Sequence, residues 1–232
     1  MELKEILKAA RERLHVENLT PMQHEMAEVK APEVVLVAPT GSGKTLAFAL
    51  PVLRRIHAGG VRSGAAAVVI APARELVLQI AKVMGSIAPG LRVTALYGGH
   101  SMLDETRSLE SAVPDVVVGT PGRLLDHINR RHLDLRHTSL LVLDEYDKSL
   151  ELGFAEEMKR IVRSMQSVGF MVLTSATALA EYPDFLSHRC CSTILLIPQE
   201  CRGLTSGRLK ALSPINSTPL PGCLVQCPMS AP

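Results

Sequence analysis

The chain has 232 residues, 47% of them apolar and 21% charged, a balance that fits one large or two small globular domains and excludes a disordered or collagen-like chain. Lys plus Arg number 25 against 23 Asp plus Glu, so the net charge of +2 excludes bulk attraction to a polyanion and confines any nucleic-acid contact to local patches. The absence of Trp, with only three Tyr and four Phe, argues against a sheet of stacking rings for exposed bases, and no apolar run approaches the roughly 18 residues of a membrane span.

The first 14 residues mix acids and bases without the uninterrupted apolar core of a signal peptide, so a cytoplasmic location is expected. Seven short, mostly β-branched runs then follow: Val34 to Pro39, Ala66 to Ala71, Arg92 to Tyr97, Asp115 to Gly119, Leu140 to Leu143, Phe170 to Thr174 and Thr193 to Ile197. Their continuity predicts strands buried on both faces. Stretches of helical period separate most of them, among them Leu46 to His57, Arg74 to Met84 with Leu76, Ile80 and Val83, and Phe154 to Met165 with Met158, Ile161 and Val162. Pro51 is expected to kink the first of these or to end it near Leu50. Strands alternating with helices predict an α/β fold on a mainly parallel sheet of about seven strands with helices on both faces. Ligands in such sheets bind beyond the carboxyl ends of the strands, so the chemistry is sought in the loops that follow strands.

The run Ala38-Pro-Thr-Gly-Ser-Gly-Lys-Thr45 lies between the first strand and a helix. Gly41 and Gly43 let successive backbone N–H groups turn toward one point, and the helix adds its positive end, so the loop suits a triphosphate. In that reading Thr40, Gly41, Ser42 and Gly43 cradle the phosphates, Lys44 reaches the β and γ phosphates, and the Thr45 hydroxyl ligates Mg²⁺. The strict pattern has glycine at position 38, where this chain has Ala38. A glycine-rich turn with a chance Lys-Thr is the competing reading, disfavoured by the strand before it and the helix after it. The strand at Leu140 ends in Asp144-Glu-Tyr-Asp147, which suits Mg²⁺ through Asp144 and an attacking water through Glu145. An acidic cap on a following helix is the other reading of these residues. Thr174-Ser-Ala-Thr177 ends the next strand, and its hydroxyls either hydrogen-bond Asp147 or cap a helix beginning near Leu179.

Taken in order along residues 19–177, these signatures resemble the DEAD-box RNA helicases of superfamily two. Thr20-Pro-Met-Gln23 resembles the Q motif, and Ala38 to Thr45 the family's phosphate loop, its alanine included. Pro72-Ala-Arg-Glu-Leu76 with Gln79 resembles motif Ia, Gly98-Gly99 the glycine doublet, Thr120-Pro-Gly-Arg123 motif Ib, Asp144 to Asp147 the box, and Ser175-Ala-Thr177 motif III. The resemblance implies the N-terminal RecA-like domain of an ATP-dependent RNA helicase, with ATP and Mg²⁺ as cofactors and RNA as partner. It implies that Gln23 reads the adenine edge and that Lys44, Asp144 and Glu145 are catalytic. Thr45 and Asp144 would hold the metal, Asp144 through water, and Asp147, Ser175 and Thr177 would couple nucleotide state to RNA. Arg74, Gly99, Thr120 and Arg123 would hold the sugar-phosphate chain without reading its sequence. Helix capping or pairing with nearby acids is the other reading of the two arginines.

Three features depart from the family pattern. Tyr146 stands at the alanine of the box, where it either presses on motif III or points outward. No Phe, Trp or Tyr precedes Phe48, so the aromatic that packs on the base upstream of the Q motif is missing, and Ile6 or Leu3 is the expected substitute. Nothing after Ile197 resembles the second helicase domain with its arginine finger, a group worth ~10³–10⁵ in rate. The expectation is a monomer, with one domain at 1–198, that binds ATP–Mg²⁺ and RNA weakly and does not turn over or unwind alone. The competing reading is a non-catalytic ATP- or RNA-binding module. Residues 199–232 hold five of the 15 prolines, three of the five cysteines and one acid, Glu200, and are expected to form an irregular tail. That tail is either a genuine extension or a shifted-frame translation after a break near Pro198. Cys223 and Cys227 lack a second pair at ligand spacing with a histidine nearby, so no zinc site is expected.

Overall fold

The structure, a computed structural model, describes residues 3–58, 64–99, 101–177 and 192–196. The chain opens with α1 (Leu3–Leu14) and α2 (Pro21–Glu28) and then alternates strand and helix. The order is β1 (Glu33–Val37), α3 (Lys44–Ala58), β2 (Ala67–Ile70), α4 (Arg74–Ile87), β3 (Val93–Leu96), α5 (Met102–Ser111), β4 (Val116–Gly119) and α6 (Pro121–Asn129). It continues with β5 (Leu140–Leu143), α7 (Tyr146–Glu151), α8 (Ala155–Ser164), β6 (Phe170–Ser175) and β7 (Ser192–Leu196). The tail from Gln199, all five cysteines and the expected helix near Leu179 lie outside the described residues.

The strands form one sheet in the order β3-β4-β2-β5-β6-β1-β7, every neighbouring pair parallel. Alternation along each strand divides the core into two layers. Val34, Leu36, Val69, Val118, Val142 and Val172 face one side, where Ile6 of α1, Met26 of α2, Phe48 of α3 and Ile80 of α4 cover them. Val35, Val68, Val117, Leu141, Leu143 and Leu173 face the other, against Leu109 of α5, Leu124 of α6 and Met158 and Ile161 of α8. Each such side chain contributes ~1.5–3 kcal/mol by leaving water, which is why strands buried on both faces read as continuous apolar runs.

Two expectations give way to packing. Pro51 does not end α3 near Leu50; the helix runs on to Ala58. Phe48, Leu50, Leu53 and Ile56 are essentially inaccessible to water, and their burial outweighs the backbone hydrogen bond that proline cannot make. Ile6 is likewise fully buried between the helices, so it is core and offers no surface to a base, while Leu3 packs against the same layer. Among the described residues no helix is long and apolar enough to cross a membrane.

Candidate nucleotide and nucleic-acid site

Sheet order assembles the first half of the site. Because β6 lies between β1 and β5, the loop after β1, the Thr174–Thr177 segment and Asp144–Asp147 emerge side by side at the carboxyl edge. The Ala38 N–H donates to Ser175 O at 3.0 Å, tying the start of the phosphate loop to that segment. Gly41 and Gly43 adopt φ of 80° and 88°, values that turn successive N–H groups inward and that side chains with a Cβ rarely tolerate. At Gly43 a Cβ would also stand 2.5 Å from Gln23 Nε2. Lys44 is buried, with Nζ donating to Ala38 O at 2.6 Å and Pro39 O at 3.2 Å, so its charge is held over the loop.

The residues present fit a nucleoside triphosphate with Mg²⁺. The buried Ser42 hydroxyl has no hydrogen-bond partner among the described residues, and Thr45 and Asp144 are the hard oxygen donors this cation takes.

Gln23 reaches the loop through local capping. Thr20 caps α2 by accepting from Gln23 N–H, while Gln23 Oε1 accepts from Thr20 N–H at 2.9 Å, a reciprocal box followed by Pro21 in the first turn. Gln23 Nε2 then donates to Gly43 O at 3.2 Å. The far end of α2 is held by α3, where Arg54 donates to Ala27 O at 2.6 Å and Arg55 to Val29 O at 2.8 Å. One amide hydrogen and one carbonyl lone pair of Gln23 have no role in these bonds.

The acidic box is held by β6. The Thr174 hydroxyl donates to Asp144 Oδ1 at 2.6 Å and accepts from Glu145 N–H at 3.0 Å, so it binds Asp144 where the sequence pointed to Asp147. Glu145 has φ 46° and ψ 54°, the left-handed region, which costs a non-glycine residue ~1–2 kcal/mol. Asp147 Oδ2 accepts from Ala176 N–H at 3.0 Å and Thr177 Oγ1 at 3.3 Å, and Oδ1 from Lys148 N–H at 3.0 Å. Burial alone would raise Asp147, but the Lys148 and Ala176 N–H bonds outweigh it and hold the carboxyl below its ordinary range. Tyr146 does not point outward; it is buried in the layer with Leu143 and Leu173.

Burial pushes Asp144 up to about 6, against the downward pull of the Thr174 hydroxyl and the Lys44 charge. The folded chain therefore holds this proton more tightly than the unfolded chain, where the carboxyl titrates near 3.8. The stability Asp144 contributes is full below that lower value and is lost as pH rises through about 6, a change of about 3 kcal/mol. Asp144→Asn, neutral and of the same shape, is expected to raise Tm at pH 7 by about 8 °C, with most of the gain gone by pH 4 in thermal melts.

The second half of the site lies at the ends of β2, β3 and β4. Arg74 is exposed at the start of α4, 3.5 Å from Glu75, with its guanidinium 5.9 Å from the Tyr97 ring centroid and against Gly99. Thr120 stands at the N-cap of α6 after β4, and its N–H donates to Leu96 O at 3.0 Å. Arg123, by contrast, is mostly buried and donates from Nε to Glu105 Oε2 at 2.6 Å, so pairing with a nearby acid is its observed state. Glu105 is itself buried; Oε2 also lies 2.8 Å from Nε2 of the fully buried His127, and Oε1 accepts from Tyr97 N–H at 3.1 Å. One carboxylate thus ties the segment leading to Gly99 to the helix that carries Arg123.

The profile of the DEAD/DEAH box helicase family matches residues 20–185, and the motifs it spans meet at this edge. The chain belongs to the DEAD/DEAH box helicase family. ATP-dependent RNA helicase CshA of Listeria monocytogenes is 38% identical over 169 residues, which is 71% of this chain and 32% of that protein. DEAD-box ATP-dependent RNA helicase CshA of Geobacillus kaustophilus is 37% identical over 178 residues, 75% of this chain and 37% of that one. Among solved structures, a DEAD box protein from the hyperthermophile Methanococcus jannaschii superposes with a TM-score of 0.70 at 30% identity, covering 82% of this chain and 52% of that chain. The yeast DEAD-box splicing factor Prp28 gives 0.69 at 30% identity, covering 76% and 45%. The chain spans about a third of the length of the curated relatives it matches. Its sheet and flanking helices are the RecA-like fold of these DEAD-box proteins.

Within this DEAD-box domain, two site residues carry no motif signal. Glu105 and His127 are 22 residues apart on different helices, and only the fold brings them together. The capping role of Gln23, however, is legible, because Thr20-x-x-Gln23 is a capping-box spacing.

Proposed function

We propose that these residues form the ATP- and RNA-binding half of an ATP-dependent RNA helicase. The observation that carries the reading is the meeting of phosphate loop, acidic box and hydroxyl segment at the ends of three adjacent strands. Lys44 exchanges the Ala38 and Pro39 carbonyls for the β and γ phosphates, while the Ser42 hydroxyl and the loop N–H groups close around them. Thr45 and Asp144 would hold Mg²⁺, which when bound would neutralise charge on the phosphate oxygens. Glu145 orients the attacking water and accepts its proton, and the spare donor and acceptor of Gln23 match the adenine edge. Asp147, bonded to Ala176 and Thr177, carries the change in nucleotide state to the β6 end together with Ser175.

Arg74 and the backbone at Gly99 and Thr120 meet the RNA sugar-phosphate chain, so binding is sequence-independent and weakens as salt rises. Arg123 shapes that surface through Glu105. The chain acts as a monomer in the cytoplasm, where residues 1–189, which contain no cysteine, need no disulfide.

The 232 residues by themselves are expected to bind ATP–Mg²⁺ with little turnover, since the segment after Ile197 has only Arg202 and Arg208 and no arginine-rich run. Measuring RNA-stimulated hydrolysis with and without a second DEAD-box helicase domain supplied in trans tests this. Turnover should appear only with the added domain and should disappear in Glu145→Gln, while ATP binding persists. RNA-stimulated turnover by the chain alone, abolished by Lys44→Ala, would contradict the low-turnover expectation. Failure of complementation with ATP binding intact would instead favour a non-catalytic binding module.

A further inference from the structure

Thr174 stands one position before the Ser175-Ala-Thr177 segment, and its hydroxyl is inaccessible to solvent. The register that pairs Leu143 of β5 with Leu173 of β6 puts Thr174 beside Asp144, the first residue past the end of β5. A hydroxyl has one proton, and here its direction is fixed. It donates to Asp144 Oδ1 at 2.6 Å and accepts the Glu145 N–H at 3.0 Å. The second bond anchors a residue held at φ 46°, where an L side chain is strained and something must hold the backbone.

Three residues at and just past the end of β6 therefore grip the acidic box at both ends. Thr174 holds Asp144 and Glu145, while the Ala176 N–H and the Thr177 hydroxyl hold Asp147. A movement of the β6 end shifts both carboxylates together.

We propose that Thr174 is a positioning residue of the nucleotide site, its hydroxyl fixing the Asp144 carboxylate and the Glu145 backbone in the arrangement that receives Mg²⁺ and the attacking water. The proposal rests on the ATP–Mg²⁺ reading of the site. Serine can make both bonds; valine, with nearly the same shape, can make neither and leaves the part-buried Glu145 N–H without this acceptor.

The test is titration of a fluorescent ATP analogue into the full 232-residue chain, once with Mg²⁺ and once with EDTA. Thr174→Val should weaken binding about tenfold in Mg²⁺ and change it less than about twofold in EDTA. Thr174→Ser should stay within about twofold of the parent in both. Amide hydrogen exchange at Glu145 should speed up in Thr174→Val and not in Thr174→Ser. Thr174→Ala should show the same Mg²⁺-selective loss, so the proposal stays testable even where the valine variant folds poorly.

Unchanged affinity in Mg²⁺ would overturn the proposal, as would an equal loss in Mg²⁺ and EDTA, which marks general damage to the fold. Lys44→Ala separates this from the underlying reading, because it should weaken binding in both conditions. A parent chain that binds the analogue in neither condition overturns the nucleotide site itself and the role of Thr174 with it.

Discussion

Replacing Lys44 by alanine is expected to weaken ATP–Mg²⁺ binding about 100-fold. The side chain is buried and its ammonium already sits over the phosphate loop, held by the carbonyls of Ala38 at 2.6 Å and Pro39 at 3.2 Å. Little ordering remains to be done when phosphates replace those carbonyls. Two charge-assisted hydrogen bonds at ~1.5 kcal/mol each give ~3 kcal/mol, or two decades in Kd. The substitution also removes the Lys44 donor from the Ala38 carbonyl, while Pro39 O keeps the Ser42 N–H at 3.3 Å, so a small fall in Tm should accompany it. Calorimetric titration of both proteins checks the ratio, and a change smaller than about threefold would show that the cation does not face the phosphates.

Glu105→Ala should have the largest effect on stability, a fall in Tm of about 10 °C. Its carboxylate is buried and receives the Arg123 guanidinium at 2.6 Å, His127 Nε2 at 2.8 Å and the Tyr97 N–H at 3.1 Å. Removing one partner from a buried charged cluster costs ~3–5 kcal/mol, and a chain of this size loses roughly 2–4 °C per kcal/mol. RNA binding gives a second readout with an informative sign. The variant is one charge more positive, so simple attraction would tighten binding. Loss of the tie between Tyr97 and α6 should loosen the surface near Gly99 and Thr120 and weaken it several-fold instead. Tighter binding would show that Glu105 only masks Arg123.

The sheet was legible because parallel strands buried on both faces must be written as unbroken apolar runs, such as Val34 to Val37 and Val116 to Val118. The phosphate loop was legible because its chemistry requires fixed spacing within eight residues. The contacts that hold the site together were not. Thr174 meets Asp144 through the β5–β6 register, and Glu105 meets Arg123 and His127 across two helices, so no local pattern records either. The N-terminal helix α1, by contrast, is written in Leu3, Ile6, Leu7, Ala10 and Leu14, which fall at helical spacing along the face that packs on the core, a period overlain by the mixed charges between them. Pro51 did not end α3, which packing carries on to Ala58, and the burial of Tyr146 follows a left-handed turn at Glu145 that no local pattern announces.

Isothermal titration of ATP into the 232-residue chain, with Mg²⁺ present, tests the central claim most directly. One saturable site is expected, weakened by EDTA and by Lys44→Ala. No saturable binding, or a site indifferent to both, would mean that the loop after β1 does not serve a nucleotide in this protein.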